Sequence, residues 1–345
     1  MSDKSIRVAI NGYGVIGKRV ADAVTRQDDM QLAGIADTAA DWRLRVANQR
    51  GYRVFAATPT AHKSMSKAGM MLSGNLDDLL DEADIVVDCT PKHVATGNVA
   101  LYRKRRLRFI VQGGEPHALT EHSFVAESNF DSAVGRSETR VVSCNTTSIV
   151  RTLGALKRAG LLKKARGTLL RRSTDPWESH QSGIMNTLVP EQSIPSHQGP
   201  DAQSVDPDFD VVTMAVKVPE TLAHLHYWNV ELSRAADREE VLAAFHSSTR
   251  IAMVRLDDGL TGINSVKELM ADLKRPNDNL YEVALWEDLV TIQNNELFYA
   301  YMVDNQAIVI PETIDAIRAL TGLSTDSQKS IAKTNAALGI GSALY

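Results

Sequence analysis

Three glycines near the start of the chain restrict it to a small group of folds. They form the pattern Gly-x-Gly-x-x-Gly at Gly12, Gly14 and Gly17, between an apolar run at residues 7–10 and a helical pattern at residues 18–26. In such a strand–turn–helix unit the first glycine permits a tight turn, the second lets a pyrophosphate approach the backbone, and the third lets helix and strand pack closely. The phosphates then meet free N–H groups at the positive end of the helix. The pattern therefore predicts a Rossmann unit that binds a dinucleotide.

An acidic residue at the end of the second apolar run indicates which dinucleotide. Asp37 follows residues 32–36 and lies twenty residues beyond Gly17. A carboxylate at this spacing accepts hydrogen bonds from the ribose hydroxyls of the adenosine, and its charge repels a 2′-phosphate. The alternative role, a helix cap, fits the spacing less well. We therefore expect NAD as the cofactor and expect NADP to be disfavoured.

The alternation of elements predicts an α/β fold with two domains. Over the first 143 residues, helical patterns separate short runs rich in Val and Ile, which is typical of a parallel sheet covered on both faces. These runs lie at residues 7–10, 32–36, 85–89, 108–112 and 140–143. Longer alternating runs then predict an α+β domain with a mostly antiparallel sheet. They lie at residues 167–172, 211–218, 224–232, 280–286, 289–293 and 296–302. We expect an N-terminal Rossmann domain at residues 1–143 and a second, catalytic domain at residues 144–310.

Charge and composition argue against several other classes of protein. A formal net charge of −4 gives no electrostatic reason to expect nucleic acid or an anionic membrane as a partner. No apolar run reaches the length of a membrane span, and the first residues do not resemble a signal peptide. Cys89 and Cys144 are too few for a disulfide framework, and no second ligand pair follows Cys89 and His93. We therefore expect a cytoplasmic protein with no metal site.

One of the two cysteines lies where a nucleophile is favoured. Cys144 stands between the run at residues 140–143 and a helical pattern at residues 149–158. A helix N-terminus stabilises a thiolate, and its free N–H groups, together with the Asn145 amide, are suited to stabilise an oxyanion. Taken alone, Cys144 is more typical of a small buried residue than of a nucleophile. Cys89 lies inside an apolar run and is interpreted as structural.

A thiol nucleophile needs a base, and two histidines are candidates. His224 and His226 are two residues apart on a predicted strand, so both side chains point to the same face. Either is placed to reach Cys144, and the spacing does not distinguish them. Surface histidines without a function remain the alternative.

Several segments resemble those of a known family, the archaeal-type glyceraldehyde-3-phosphate dehydrogenases. They occur in the family's order and span about residues 6 to 340: NGYGVIGKRVADA, DIVVDCTP, VQGGE, RVVSCNTTS, RRSTD, IPSHQGPD, TMAVKVPETLAHLH and VIPETIDAIRA. The resemblance implies that helices in residues 311–345 complete the Rossmann domain, and that the protein is a homotetramer. It implies the glycolytic, NAD-dependent oxidative phosphorylation of glyceraldehyde 3-phosphate to 1,3-bisphosphoglycerate through a cysteine thiohemiacetal and thioester. The partners would be a phosphorylated aldehyde and inorganic phosphate.

The resemblance also assigns roles to individual residues. It implies that Cys144 is the nucleophile and that His224, the first histidine of the pair, is the base. It places cofactor contacts at Val15, Ile16, Gly114, Arg172 and Asn305. It places substrate contacts at Ser143, Asn145, His197 and Gln198. Because Arg171 and Arg172 project to opposite faces of a strand, we expect Arg172 to face the ligand and Arg171 to be a solvated charge.

Three positions depart from the family pattern. Asp37 replaces a usual lysine, which supports NAD; His197-Gln198 replaces a usual His-His pair; and Asn305 replaces a usual glutamine. The second and third changes leave open another phosphorylated aldehyde or a semialdehyde as substrate, with an NAD(P)-dependent reductase as the alternative function.

Two further alternatives belong to other functional classes. One is a non-catalytic protein that binds NAD, which the pairing of Cys144 with a histidine argues against. The other is a nucleic-acid-binding protein that uses the basic run at residues 103–108. Such runs are usually solvated helix faces, and no aromatic residues suited to stack on bases are interleaved with it.

Overall fold

The computed structural model describes residues 5–345, so residues 1–4, where the expected first domain begins, lie outside the described residues. Its strands are β1 (Ile6–Asn11), β2 (Met30–Asp37), β3 (Val54–Ala56), β4 (Gly74–Asn75), β5 (Ile85–Asp88), β6 (Arg108–Gly113), β7 (Ser123–Phe124), β8 (Glu138–Val142), β9 (Leu162–Arg172), β10 (Val189–Pro190), β11 (Val211–Val218), β12 (His224–Leu232), β13 (Ile251–Val254), β14 (Val283–Trp286), β15 (Thr291–Gln293) and β16 (Glu296–Val303). Its helices are α1 (Val15–Val24), α2 (Trp42–Gln49), α3 (Pro59–Lys67), α4 (Leu76–Glu82), α5 (Ala95–Lys104), α6 (Ala126–Ala133), α7 (Cys144–Arg158), α8 (Gln198–Gln203), α9 (Arg238–His246), α10 (Ile263–Asp272), α11 (Val309–Thr321) and α12 (Ser327–Leu338).

The chain divides into two compact units. The first contains residues 1–142 and 310–338, and the second contains residues 143–309 and 339–345. The C-terminal end therefore differs from the expectation that all of residues 311–345 belong to the first domain. Its last residues join the second unit because Leu344 packs in that unit's hydrophobic core and the Gly341 N–H donates to Glu282 Oε1 at 3.2 Å.

The first unit contains the predicted parallel sheet. Its eight strands lie in the order β4-β3-β2-β1-β5-β6-β8-β7, and every neighbouring pair is parallel. Strands β1 and β5 are apolar at consecutive positions, and residues 8–10 and 85–87 are fully buried. Burial on both faces is the reason that these strands show continuous apolar runs rather than alternation. The predicted Rossmann architecture is confirmed.

The second unit contains a mixed sheet that is mostly antiparallel, as predicted. Its strands lie in the order β10-β11-β9-β12-β16-β14-β13, with β15 paired to β16. Only the β9–β11 and β13–β14 pairs are parallel. Strand β12 alternates as a half-buried strand should: His224, His226 and Trp228 share the buried face, whereas Tyr227 is exposed. Helix α7 is buried along most of its length and packs against β9 and β16.

No helix within residues 5–345 combines the length and the apolar character that crossing a membrane requires.

Candidate active site

In the first unit, the glycine pattern forms a close-packed turn at the end of β1. Gly12 has a φ of +93°, and a Cβ on it would lie 2.7 Å from the backbone carbon of Cys89. A Cβ on Gly17 would lie 1.9 Å from the Gly12 carbonyl oxygen. These two positions exclude any side chain, which explains the first and third glycines of the pattern.

The middle glycine, in contrast, faces open space. Gly14 is the N-cap of α1, no side chain caps that helix, and a Cβ on Gly14 would meet no protein atom within 4 Å. Val15 and Ile16 form the first turn of the same helix and are partly buried. The N–H groups of this turn therefore face a cradle that a side chain would fill, which fits the pyrophosphate of a dinucleotide.

Asp37 lies at the carboxyl end of β2 with its carboxylate held by two backbone groups. Tyr13 N–H donates to Oδ2 at 2.6 Å, and Ala39 N–H donates to Oδ1 at 2.8 Å. The nearby helix α2 is capped by Asp41 instead, so Asp37 is not a helix cap. Gly114 follows β6 at the same edge of the parallel sheet. The first unit therefore presents a fixed negative charge where an adenosine ribose would be recognised.

A buried polar network that the sequence did not predict supports this edge. Asn11 Nδ2 donates to Tyr102 Oη at 2.8 Å, and Tyr102 Oη donates to Asp88 Oδ2 at 2.8 Å. The other oxygen of Asp88 accepts from Thr90 N–H at 3.0 Å. These bonds connect the ends of β1 and β5, on either side of the Gly12 turn.

In the second unit, Cys144 is the first residue of α7 and is partly buried. Ser143, predicted as a substrate contact, is the N-cap, and its Oγ accepts from Thr146 N–H at 3.3 Å. The Thr146 hydroxyl donates to Asp201 Oδ2 at 2.6 Å, which links this turn to α8. The nucleophile is therefore placed at a helix N-terminus, as predicted, in a turn held by side-chain hydrogen bonds.

Burial of Cys144 opposes the ionisation that the helix N-terminus favours. Burial raises the pKa of Cys144 to about 11, although the Arg172 guanidinium, the Asn145 N–H and Arg171 all act to lower it. Desolvation of the thiolate outweighs the helix N-terminus and both arginines. The helix N-terminus alone therefore does not lower the pKa of this thiol below its usual value.

His224, predicted as the base, is buried and uncharged. Its Nδ1 accepts the Arg172 backbone N–H at 3.0 Å. Because a backbone N–H only donates, the proton of the neutral ring lies on Nε2. Burial, followed by the charges of His226 and the two arginines, lowers the pKa of His224 well below its usual value. Within residues 5–345 no hydrogen bond joins His224 to Cys144, so the ring presents an N–H donor rather than a base already bonded to the thiol.

The histidine that is bonded to the nucleophile's turn is His226. Its Nε2 lies 2.9 Å from Asn145 Oδ1, and its Nδ1 lies 2.9 Å from Tyr301 Oη. Burial, followed by the charge of Arg171, lowers the pKa of His226 to about 3. The sequence identified the pair of histidines on one strand face, but Tyr301 lies on another strand and gave no pattern.

The two arginines at the end of β9 are both bound by protein groups. Arg172, predicted to face a ligand, donates to the Thr174 carbonyl at 2.9 Å, the Thr221 carbonyl at 3.2 Å and Asp175 Oδ1 at 2.5 Å. Its guanidinium therefore braces the segment after β9 rather than standing free for a ligand. These local acceptors were not evident in the sequence, and the expected contact of Arg172 with the cofactor stays a prediction.

Arg171 belongs to a polar cluster with one predicted substrate residue, His197, and the next residue, Gln198, is another. Its Nη1 donates to Glu191 Oε2 at 2.7 Å, and Glu191 Oε1 lies 3.0 Å from His197 Nδ1. Gln198 is fully buried, yet neither atom of its amide has a hydrogen-bond partner among the described residues, and the same holds for Arg171 Nε. Arg171 is therefore not the solvated charge that we expected, and Glu191 was missed.

Asn305, predicted as a cofactor contact, follows β16. Its Oδ1 is buried and has no partner within residues 5–345. The neighbouring Gln306 is bonded through Nε2 to Asp175 Oδ1 at 2.6 Å. Of the two adjacent amides, only Asn305 keeps a buried acceptor that is open to a donor.

Comparison with known protein families finds a match in each half of the chain. Residues 143–288 match the family described as "Glyceraldehyde 3-phosphate dehydrogenase, C-terminal domain". Residues 6–114 match the family described as "Dihydrodipicolinate reductase, N-terminus".

Curated proteins similar to the chain cover nearly all of it. The glyceraldehyde-3-phosphate dehydrogenase of Methanobrevibacter smithii is 42% identical over 335 residues, which are 96% of this chain and 99% of that protein. The protein of the same name from Archaeoglobus fulgidus is 44% identical over 338 residues, 97% of this chain and 98% of that protein. The one from Methanothermus fervidus is 40% identical over 334 residues, 96% and 98% of the two chains.

Proposed function

Because the chain belongs to the archaeal-type glyceraldehyde-3-phosphate dehydrogenase family, we propose that it oxidises glyceraldehyde 3-phosphate to 1,3-bisphosphoglycerate with a nicotinamide dinucleotide. The observation that carries the proposal is Cys144 at the first position of α7, one residue before an amide that is anchored by His226. Backbone N–H groups suited to donate to an oxyanion already lie beside a nucleophile at this position, so the backbone does not have to move.

The first step joins the sulfur to the aldehyde. Cys144 Sγ attacks the carbonyl carbon, the S–C bond forms, and the thiol proton ends on the carbonyl oxygen to give a thiohemiacetal. No net charge is created, so a sulfur that is protonated before attack is compatible with this step. The Asn145 N–H, which already contacts the sulfur, and the Nε2–H of His224 are the donors proposed for the developing oxyanion.

The next steps convert the thiohemiacetal into product. A bound nicotinamide dinucleotide would supply the hydride acceptor, and Cys144 would then carry the substrate as a thioester. The hydroxyl proton must leave in this step. His224 accepts it on Nε2 only after the ring's proton has moved to Nδ1, and that change of tautomer breaks the bond from the Arg172 N–H. Inorganic phosphate then attacks the thioester carbon, the C–S bond breaks, and the acyl phosphate leaves.

The cluster of Arg171, Glu191 and His197, which Gln198 follows in the chain, supports a phosphorylated substrate. Arg171 carries a positive charge, and both it and Gln198 have buried donor groups that no protein atom satisfies within the described residues. Buried donors without partners are costly unless a ligand or water satisfies them. We assign His197 and Gln198 to the recognition of the substrate's phosphate group, with Arg171 in support.

The substrate assignment is tested by comparing aldehydes. We expect kcat/KM for glyceraldehyde 3-phosphate to exceed that for unphosphorylated glyceraldehyde and for an acidic semialdehyde by at least about 100-fold, because a bound phosphate and its charged partners contribute about 3 kcal/mol. The measurement is formation of reduced cofactor with phosphate present. A preference for the semialdehyde would replace the proposed function with that of a semialdehyde reductase.

For the cofactor we propose NAD rather than NADP. The support is the Asp37 carboxylate, which two backbone N–H groups hold at the carboxyl end of β2. Its negative charge disfavours the 2′-phosphate that distinguishes NADP. The other proposed cofactor contacts are Gly12, Gly14, Val15, Ile16, Gly17, Gly114, Arg172 and Asn305.

We also propose that the enzyme assembles as a homotetramer and acts in the cytoplasm. Three large apolar residues, Met214, Tyr227 and Phe298, are exposed on one face of the second sheet, which supports self-association. Both cysteines are free, which is consistent with a reducing compartment.

A further inference from the structure

A chain of buried hydrogen bonds reaches the nucleophile's turn from the opposite strands. His226 Nδ1 lies 2.9 Å from Tyr301 Oη, and His226 Nε2 lies 2.9 Å from Asn145 Oδ1. On the other side of the turn, Ser148 Oγ donates to the Asn145 carbonyl at 2.8 Å. His226 is fully buried and Asn145 is 4% exposed, so water does not compete for these bonds.

The direction of each bond follows from the groups involved. The amide oxygen Asn145 Oδ1 only accepts, so His226 Nε2 carries the proton and donates it. Nδ1 of the neutral ring is then an acceptor, so the single hydroxyl proton of Tyr301 lies on the 2.9 Å bond to Nδ1 rather than on the longer, 3.3 Å contact with Ser148 Oγ. Tyr301 thereby fixes the tautomer of His226, and His226 fixes which end of the Asn145 amide faces the strand.

This arrangement leaves the other end of the amide available. Among the described residues, Asn145 Nδ2 donates no hydrogen bond and is not one of the polar atoms sealed from solvent, whereas Oδ1 accepts from His226 Nε2. The backbone N–H of the same residue contacts Cys144 Sγ. If the amide were turned over, it would offer an oxygen, which repels a developing oxyanion.

We propose that His226 is a positioning residue that holds the Asn145 amide with its Nδ2 hydrogens directed to the oxyanion formed on Cys144. The inference rests on the proposed role of Cys144 as nucleophile, but not on which aldehyde or which cofactor the enzyme uses. His226 itself does not touch the reacting atoms. It acts only through Asn145.

The test uses acylation of Cys144 by 4-nitrophenyl acetate, which needs neither cofactor nor sugar phosphate. The S–C bond forms, the ester C–O bond breaks, 4-nitrophenolate leaves, and the thiol proton passes to solvent, through a tetrahedral oxyanion. Two variants form a matched pair. His226→Gln places an amide N–H near the position of Nε2, whereas the shorter His226→Asn keeps a polar amide that does not reach Asn145 Oδ1.

We expect His226→Asn to lower the acylation rate by about 30-fold and His226→Gln to lower it by less than about threefold. Removing one oxyanion donor costs about 10²- to 10³-fold, and His226→Asn leaves the donor in place but no longer oriented, so its effect should be smaller. Alkylation of Cys144 by iodoacetamide forms no oxyanion, so both variants should react with it at the wild-type rate. A His226→Asn variant that loses both reactions in parallel would show a merely structural role and overturn the proposal.

A double-mutant cycle separates action through Asn145 from action by another route. Asn145→Ala should slow acylation by about 100-fold, and adding His226→Asn should slow it no further, because coupled residues are not additive. A further 30-fold loss in the double mutant would overturn the proposal.

The outcomes also separate this inference from the proposed function. If the wild-type enzyme is acylated and His226→Asn slows acylation but not alkylation, the inference stands even where glyceraldehyde 3-phosphate is not oxidised. If the wild-type enzyme oxidises the aldehyde and His226→Asn is acylated at full rate, the inference fails alone. If Cys144 is not acylated in the wild-type enzyme, both fail.

Discussion

Replacing Cys144 by serine should lower turnover at least about 10⁴-fold, because the hydroxyl is a far weaker nucleophile and catalytic groups that act as a unit show losses of this size. The thiol already has its pKa raised to about 11 by burial, and a hydroxyl in the same surroundings is harder still to deprotonate. Cofactor binding should remain, since the glycine turn and Asp37 belong to the first unit. Steady-state kinetics and a direct titration with the cofactor measure the two effects.

Cys89→Ser is the matched control for this substitution. Burial, followed by the charge of Asp88, raises the pKa of the Cys89 thiol well above its usual value, and no proposed step uses it. We expect its turnover to stay within about threefold of wild type. A Cys144→Ser enzyme that keeps more than a few per cent of wild-type turnover would remove Cys144 from the mechanism.

Replacing Asp37 by asparagine should shift the ratio of kcat/KM for NAD to kcat/KM for NADP by about 100-fold toward NADP. The substitution removes a negative charge held beside the ribose site, and a change of about 2.7 kcal/mol is of the size expected for a partly buried charge facing a phosphate. It also removes an oxygen that accepts the Tyr13 or Ala39 N–H, so activity with NAD should fall as well. Both cofactors are compared at one substrate concentration.

Asp41→Asn is the control for this effect. Asp41 lies four residues further on, caps α2 and forms an ion pair with Arg43. Asparagine caps a helix as well as aspartate does, so the control removes a nearby charge with little loss of stability. We expect its cofactor ratio to be unchanged. An equal shift in both variants would mean that the overall electrostatic potential of this surface, rather than Asp37, determines the preference for NAD over NADP.

The features that the sequence predicted are those with local physical causes. The glycines at positions 12 and 17 are required because a Cβ there collides with backbone atoms a few residues away or at the next strand end. The two sheets were predicted because burial on both faces gives a strand a continuous apolar run, whereas burial on one face gives it an alternation of apolar and polar residues. Cys144 was placed near a helix N-terminus because it lies between the apolar run at residues 140–143 and the helical pattern at residues 149–158.

The features that the sequence did not predict depend on contacts between distant residues. Whether His224 or His226 is bonded to the turn of Cys144 depends on Tyr301, which pairs with His226 across the β12–β16 ladder. The ionisation of the sulfur depends on how deeply the fold buries it, and burial outweighs the charges that the motif implied. The hydrogen bond from Arg172 to the Thr221 carbonyl could not be predicted, because these residues come together only in the folded chain.

The central claim is that the oxidised substrate remains on Cys144 as a thioester until phosphate removes it. The most direct measurement is rapid mixing of the enzyme and NAD with glyceraldehyde 3-phosphate, with and without inorganic phosphate. Without phosphate, the account predicts a burst of about one reduced cofactor per chain followed by near arrest; with phosphate, the same burst should lead into steady turnover. Equal steady rates under both conditions, or a burst that persists in Cys144→Ser, would contradict the account.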